Sequence, residues 1–236
     1  MYNYLRKFIV KIKAYSTIYE DCFAIVSFLK NNKIDTVLDI GANKGQYAKS
    51  LRRFGYSGRI ISFEPLIEEF NLLREASKND PNWIVDKPIA IGDKKKFLFI
   101  NIAKNSVSSS FKKVGSKHLE ADMGAKKVGR QISFMNKIDN IINHYCTKKN
   151  KIFLKSDTQG FDMEVLKGAK KTLKKNNLLG IQIELSLVSL YHSDKSYIKI
   201  CDFLDKKGFE PFDMFKGFRN KKTNKLLQLD FLFSKK

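Results

Sequence analysis

The segment Val37-Leu-Asp-Ile-Gly-Ala-Asn-Lys-Gly-Gln-Tyr47 decides the fold. Its apolar start predicts a buried strand, and its glycines predict a sharp turn into a helix. In an open α/β sheet the ligand lies beyond the carboxyl ends of the strands, so this turn predicts a binding loop. We assign Gly41, Asn43 and Gly45 to that loop, with Asp39 near the end of the strand.

The end of the next strand indicates which ligand the loop binds. Glu64 follows a predicted strand, and a carboxylate there can accept hydrogen bonds from both ribose hydroxyls of an adenosine. Asp39 can accept a hydrogen bond from an amino group, which suits a zwitterionic amino acid better than a pyrophosphate. Together they predict S-adenosylmethionine, with its amino-acid end at Asp39, its ribose at Glu64 and its adenine near Ala90 and Asp93.

Two other kinds of nucleotide site are disfavoured by the spacing of the glycines. The dinucleotide fingerprint G-x-G-x-x-G is absent, because the loop reads G-x-x-x-G. A P-loop needs Gly-Lys followed by Ser or Thr, whereas Gly45 is followed by Gln46. The loop together with Glu64 therefore favours S-adenosylmethionine over a dinucleotide or a nucleoside triphosphate.

Beyond the loop, short apolar runs alternate with helical stretches, which is typical of a parallel α/β sheet with helices on both faces. Residues 209–215 and 226–233 are two predicted strands with no helix between them, so we expect an antiparallel hairpin at the sheet edge. The other predicted strands of the sheet are 36–40, 59–63, the region 83–91, 151–156 and 180–185.

The chain is predicted to form one main domain preceded by an N-terminal helical segment. Residues 1–34 carry apolar side chains at helical spacing and predict an N-terminal helical segment. Residues 35–236 form the main domain, because 236 residues leave little room for a second core. Within it, the Lys-rich residues 94–135 break the alternation, and we interpret them as an irregular insertion of the kind that covers substrates.

The composition of the chain indicates its cellular compartment and the kinds of molecule that it can bind. The three cysteines are scattered and none lies in a CxxC motif, so neither a disulfide framework nor a zinc site is predicted. No apolar run approaches the roughly 20 residues of a membrane span, and we expect a cytoplasmic protein. The basic, apolar segment 1–13 can lie on the inner face of a membrane. The net charge of +21 fits either a basic face that binds nucleic acid or a compositional bias, and both stay open.

The chain resembles the FkbM family of methyltransferases over residues 35–190. The most specific part is 157–169, although many members have Asp-x-Glu-Gly where this chain has Asp-Thr-Gln-Gly. The resemblance implies a Rossmann-like class I methyltransferase fold with a seven-stranded sheet. It also implies O-methylation, often of a sugar hydroxyl in a polysaccharide, a glycolipid or another metabolite. The matching segments are 37–47, 63–65, 90–93, 106–110, 138–141, 155–169 and 183–184.

A sugar hydroxyl must lose its proton during methyl transfer, so a nearby base helps. Asp157 follows the fourth predicted strand and is the first candidate, its alternative role being a hydrogen bond to the loop or cofactor; His192 is the second. We expect Ser109, Gln159 and Glu184 to bind the acceptor. Asp157 and Glu184 could also hold a divalent ion, but nothing in their spacing requires one and we predict no metal.

Two other functions stay open at this point. The charge of +21 motivates an RNA methyltransferase, although we find no appended RNA-binding motif. A degenerate, non-catalytic module that only holds the cofactor is the other, and the presence of both Asp39 and Glu64 disfavours it.

Overall fold

The computed structural model describes residues 20–236, which form two β-sheets and the helices that flank them. The segment 1–13 therefore lies outside the described residues. The helices are α1 (residues 20–31), α2 (Gln46–Arg53), α3 (Ile67–Ser77), α4 (Ser116–Ala121), α5 (Ile138–Tyr145), α6 (Asp162–Gly168) and α7 (Tyr197–Asp205). The strands are β1 (Thr36–Ile40), β2 (Arg59–Phe63), β3 (Trp83–Val85), β4 (Ala90–Ile91), β5 (Lys96–Ala103), β6 (Lys127–Asn136), β7 (Ile152–Ser156), β8 (Leu178–Ser186), β9 (Phe209–Lys216) and β10 (Gln228–Lys235).

The larger sheet has seven strands in the order β3-β2-β1-β7-β8-β10-β9. Neighbouring strands are parallel from β3 to β8, whereas β10 runs antiparallel to both β8 and β9. The predicted fold is confirmed, including the C-terminal antiparallel hairpin. The chain adds β2 and β3 on one side of β1 and the later strands on the other, so the crevice between the carboxyl ends of β1 and β7 is the expected ligand site.

Strands β1 and β7 are the centre of the sheet, and every residue of both is buried. Buried parallel strands are usually continuous apolar runs because helices cover both of their faces. Asp39 on β1 and Lys155 on β7 are the charged exceptions, and the register places them directly opposite each other. These two buried charges therefore indicate the same ligand site as the strand order does, the crevice between the carboxyl ends of β1 and β7.

The sequence assigned residues 83–91 to one strand region, and the structure divides that region between the two sheets. Strand β3 pairs with β2 in the large sheet, whereas β4 pairs with β6 in a three-stranded sheet of order β4-β6-β5. Pro88 lies between β3 and β4, and proline has no N–H to continue a ladder. The two predicted apolar runs of this region, 83–85 and 89–91, therefore both contain strands, but the strands belong to different sheets.

Residues 94–135 contain more regular structure than the pattern predicted. Strand β5 pairs antiparallel with β6, and this ribbon is the main part of the smaller sheet. The first residues of β6, 127–130, are Lys-Val-Gly-Arg and are mostly exposed, so no apolar alternation reveals that part of the strand. Main-chain pairing with β5 holds these residues in the strand.

Helix α1 covers one face of the large sheet. Its buried residues Ile25, Val26, Phe28 and Leu29 join a core cluster with Phe153 of β7. The rings of Phe28 and Phe153 meet edge-on with centroids 6.0 Å apart. Among residues 20–236, no helix is long and apolar enough to cross a bilayer.

Candidate active site

The loop between β1 and α2 has the backbone that its glycines predict. Gly41, Asn43 and Gly45 all have positive φ, at 75°, 47° and 82°. A Cβ atom on Gly41 would lie 2.1 Å from the carbonyl oxygen of Asp157, so only glycine allows the loops after β1 and β7 to approach this closely. The two loops therefore form one continuous wall at the carboxyl ends of the central strands.

Glu64 holds this loop in place through two main-chain hydrogen bonds. Its Oε2 accepts from the Asn43 N–H at 2.7 Å, and its Oε1 accepts from the Leu66 N–H at 2.9 Å. Burial raises the pKa of Glu64 to about 7, although both N–H groups favour the ionised form. Each carboxylate oxygen keeps a lone pair for a further donor.

Asp39 lies behind the loop and not on the cavity wall. Its side chain is fully buried, Ser62 Oγ donates to its Oδ2 at 3.2 Å, and Lys155 Nζ is 3.3 Å from its Oδ1. Trp83 Nε1 in turn donates to Ser62 Oγ at 3.0 Å. Asp39 therefore has two polar partners within the protein, Ser62 and Lys155, and its side chain does not line the cavity. Its predicted contact with the amino end of the cofactor stays a prediction.

Lys155 is the positive charge at the centre of the site. Its Nζ donates to the Gly41 carbonyl oxygen at 3.3 Å, lies 3.7 Å from Asp157 Oδ2 and stands over the ring of Tyr47. Burial alone would lower the pKa of Lys155, but Asp39, Asp157 and Asp230 outweigh that effect and raise it. Lys155 therefore stays charged and neutralises the acidic side chains around it.

One cavity of about 400 Å³ runs across this wall. Its volume lies within the range typical of small-molecule binding sites. One end is lined mainly by apolar side chains around Glu64, among them Phe63, Leu66, Ile91 and Val107. The other end is polar. Its lining includes Ser109, Asp157, Gln159, Gln182 and Asp230.

The polar end is organised by Gln159, a non-glycine residue with φ of 52°. Its Nε2 donates to Asp157 Oδ1 and to Glu184 Oε2, both at 2.8 Å. Its Oε1 lies 2.8 Å from the hydroxyl of Tyr191, and its carbonyl accepts from Ser110 Oγ at 2.7 Å. Gln159 therefore joins the loop after β7 to the strand β8 and to the loop that follows it.

The sequence model of the methyltransferase FkbM domain matches residues 39–211, well over half of the chain. The chain belongs to the FkbM methyltransferase family. No curated protein sequence matches it.

This FkbM methyltransferase is similar to solved structures of other methyltransferases. Magnesium protoporphyrin IX methyltransferase from Synechocystis PCC 6803, solved with bound SAM, aligns with a TM-score of 0.50 at 8% identity over 96% of this chain and 82% of that chain. A putative RNA methyltransferase from Pyrococcus horikoshii aligns with a TM-score of 0.46 at 13% identity, over 91% and 82%. Aeropyrum pernix fibrillarin with natively bound S-adenosyl-L-methionine gives 0.45 at 11% identity, over 84% and 66%.

The cofactor of this FkbM methyltransferase is S-adenosylmethionine, and the cavity suits it. Glu64 offers two free carboxylate lone pairs beside an apolar compartment, which matches a ribose diol and an adenine.

Two residues nominated from the sequence lie away from the cavity. His192 is exposed outside the lining, and its main-chain N–H donates to the Lys113 carbonyl oxygen. Asp93 is also outside the lining, whereas Ala90 of β4 is part of it. Glu184 lies behind Gln159 and reaches the cavity only through that side chain.

The sequence reasoning missed several polar residues of the FkbM methyltransferase site. Lys155 stands two residues before Asp157 in the most family-like stretch, and that position could have flagged it. Tyr47 lies on α2, and its hydroxyl donates to Gln182 Oε1 at 2.7 Å. Nothing in the sequence signals Gln182 or Asp230, because each is a single polar residue between two apolar neighbours in its strand.

Proposed function

We propose that this FkbM methyltransferase transfers the methyl group of S-adenosylmethionine to a sugar hydroxyl. The observation that carries the proposal is the polar end of the cavity, where carboxylate and amide side chains meet within one compartment: Asp157, Gln159, Gln182 and Asp230. Such groups can accept from and donate to the hydroxyls of a polyol. An apolar acceptor would leave the free acceptor capacity of the two carboxylates, Asp157 and Asp230, unused.

The cofactor is proposed to lie across the loop after β1. Glu64 accepts hydrogen bonds from the ribose hydroxyls, while Phe63, Ala90 and Ile91 pack against the adenine. The Gly41 loop approaches the ligand with its main chain, and Asn43 is fixed there because its N–H is bonded to Glu64. The sulfonium supplies the methyl group at the junction of the two ends of the cavity.

Alignment is the main task of the protein in an in-line transfer of this kind. Asp157 lies at the carboxyl end of β7, its side chain is 36% exposed, and Gln159 and Lys155 fix its orientation. We propose that Asp157 contacts the reacting hydroxyl and that Ser109 and Gln159 hold neighbouring hydroxyls. The apolar side chains around the adenine exclude water from that end of the site.

Replacing Asp157 with Asn is expected to keep cofactor affinity and to lower turnover roughly 100-fold, the lower end of the usual contribution of a carboxylate that handles a proton or orients a hydroxyl. Calorimetric titration with S-adenosylmethionine checks binding, and transfer of a labelled methyl group checks turnover. Replacing the exposed Asp202 with Asn is the matched control. Unchanged turnover in the Asp157 variant would remove this residue from the reaction.

The substrate class is tested by incubating the enzyme with methyl-labelled S-adenosylmethionine and a panel of methyl hexosides, deoxyhexosides and bacterial polysaccharides. Hydrolysis and mass spectrometry then locate the label. We expect an O-methylated sugar, and label in none of the sugars would contradict the proposal.

RNA methylation is the second candidate, and the ribbon β5–β6 is the observation that favours it. On its outer face Phe97 is 69% exposed and Phe99 is 50% exposed, and the Arg130 guanidinium lies 4.4 Å from the centroid of the Phe99 ring. Aromatic rings on a basic surface stack with unpaired bases. Lys96 and Lys127 are exposed at the ends of the two strands.

Under the RNA hypothesis, single-stranded RNA binds this ribbon, and replacing both Phe97 and Phe99 with Ser weakens binding about 10-fold or more, since stacking contributes about 1–3 kcal/mol per base. Filter binding at two salt concentrations measures it. Replacing the equally exposed Ile198 and Met214 with Ser is the control. If the two double variants bound RNA with equal affinity, the ribbon would be excluded as the RNA site.

A further inference from the structure

The cavity extends past Lys155 into a recess that the assigned residues do not explain. Its walls come from three elements far apart in the sequence: Asp21 on α1, Phe215 and Lys216 on β9, and Asp230 on β10. This recess lies on the same face of the sheet as Lys155. It has no role in holding the adenosine, whose proposed contacts are all at the other end.

Two carboxylates, Asp21 and Asp230, line this recess, and Asp230 is the one that interacts with Lys155 and has free hydrogen-bonding capacity. Asp157 accepts from Gln159, and Glu184 accepts from Gln159 and from Gln228 at 2.7 Å. No donor among residues 20–236 serves Asp230. A carboxylate that lines a cavity without a donor is the natural partner of a hydroxyl on a bound acceptor.

The strand register explains why Asp230 behaves differently from Asp157. The antiparallel pairing of β8 and β10 places Asp230 directly opposite Glu184, and such side chains lie about 5 Å apart. Burial and, to a smaller extent, the charge of Asp157 together raise the pKa of Asp230 to about 7, while Lys155 opposes both effects. Burial likewise raises the pKa of Glu184 well above its usual range. Both carboxyl groups of the facing pair therefore hold a proton more readily than an exposed carboxyl group does.

We propose that Asp230 is the general base, while Asp157 orients the hydroxyl. The hydroxyl proton moves to the Asp230 carboxylate as the hydroxyl oxygen bonds to the methyl carbon and the carbon–sulfur bond breaks. The products are a methyl ether, a neutral thioether and protonated Asp230, which releases its proton to solvent when the ether leaves. This inference rests on the proposed methylation of a hydroxyl.

The test compares the wild type with Asp230→Asn, Asp157→Asn and the control Asp213→Asn, an exposed carboxylate on the neighbouring strand. Methyl transfer to the hexoside panel is measured from pH 5.5 to 9. Wild type and Asp213→Asn should rise through about pH 7 to a plateau. Asp157→Asn should also rise to a plateau, but at a lower pH, because it removes a charge that raises the pKa of Asp230. Asp230→Asn should lose that rise and fall roughly 100-fold at the plateau.

Two further measurements separate this inference from the proposed function. Calorimetry should show unchanged S-adenosylmethionine affinity in Asp230→Asn, and a large loss would assign Asp230 to the cofactor and overturn the inference. Carbon-13 NMR of labelled aspartate carboxyls, with S-adenosylhomocysteine bound and no acceptor, should show one group that titrates near pH 7 and is missing from Asp230→Asn. Absence of that group overturns the role of Asp230 whether or not any sugar is methylated, whereas a wild type inactive on every sugar contradicts the proposed function alone.

Discussion

Replacing Glu64 with Ala is expected to weaken S-adenosylmethionine binding about 100-fold or more. The variant loses two hydrogen bonds from the ribose to a charged group, at about 1.5 kcal/mol each, and 1.4 kcal/mol corresponds to a tenfold change in affinity. It also releases the Asn43 and Leu66 N–H groups that Glu64 now holds. The loop is then less ordered before binding, which adds to the loss.

Isothermal titration calorimetry measures this effect, and Glu68→Ala is the matched control because Glu68 is a nearby exposed carboxylate on α3. Circular dichroism and thermal unfolding show whether the fold survives. Glu64→Gln separates the two contributions, since its single carbonyl oxygen can serve only one of the two N–H groups. Full affinity in Glu64→Ala would place the ribose elsewhere in the cavity.

The strands and the binding loop could be predicted because their signals are local. Buried runs such as 36–40 and 59–63 are short, apolar and followed by glycine or proline, and the structure has strands at both places. The C-terminal hairpin was predicted for the same reason, since no helix separates its two apolar runs. The runs 83–85 and 89–91 also contain strands, and Pro88 lies between them. Their separation into two sheets depends on pairing with distant strands and could not be predicted locally.

The polar part of the site could not be predicted because its contacts join distant residues. Asp39 and Lys155 meet only because β1 and β7 are neighbours in register. Asp230 faces Glu184 only because β10 inserts between β8 and β9. A charged residue in one strand does not reveal its partner in another, so the sequence assigned Asp39 to the ligand and overlooked both Lys155 and Asp230.

Replacing Lys155 with Met is expected to destabilise the fold by about 3–5 kcal/mol, the usual effect of removing one partner of a buried ion pair. Asp39 is fully buried, and the variant leaves it with Ser62 Oγ as its remaining donor. The charges of Asp157 and Asp230 also lose their nearest cation. For a domain of this size the melting temperature should fall by about 6–15 °C, which calorimetry or circular dichroism measures.

The double variant Asp39→Asn/Lys155→Met distinguishes a lost ion pair from lost packing. Asn fills the same volume as Asp without a charge, so the double variant should be more stable than Lys155→Met alone, and a double-mutant cycle yields the coupling between the two residues. Lys151→Met, an exposed lysine just before β7, should leave stability within about 0.5 kcal/mol of the wild type. If the two single effects simply added, the buried pair would not hold the loops after β1 and β7 together. The same cycle, measured on S-adenosylmethionine affinity, distinguishes two roles of Asp39. Asp39 either positions Lys155, as their contact indicates, or contacts the ligand itself, as the sequence predicts.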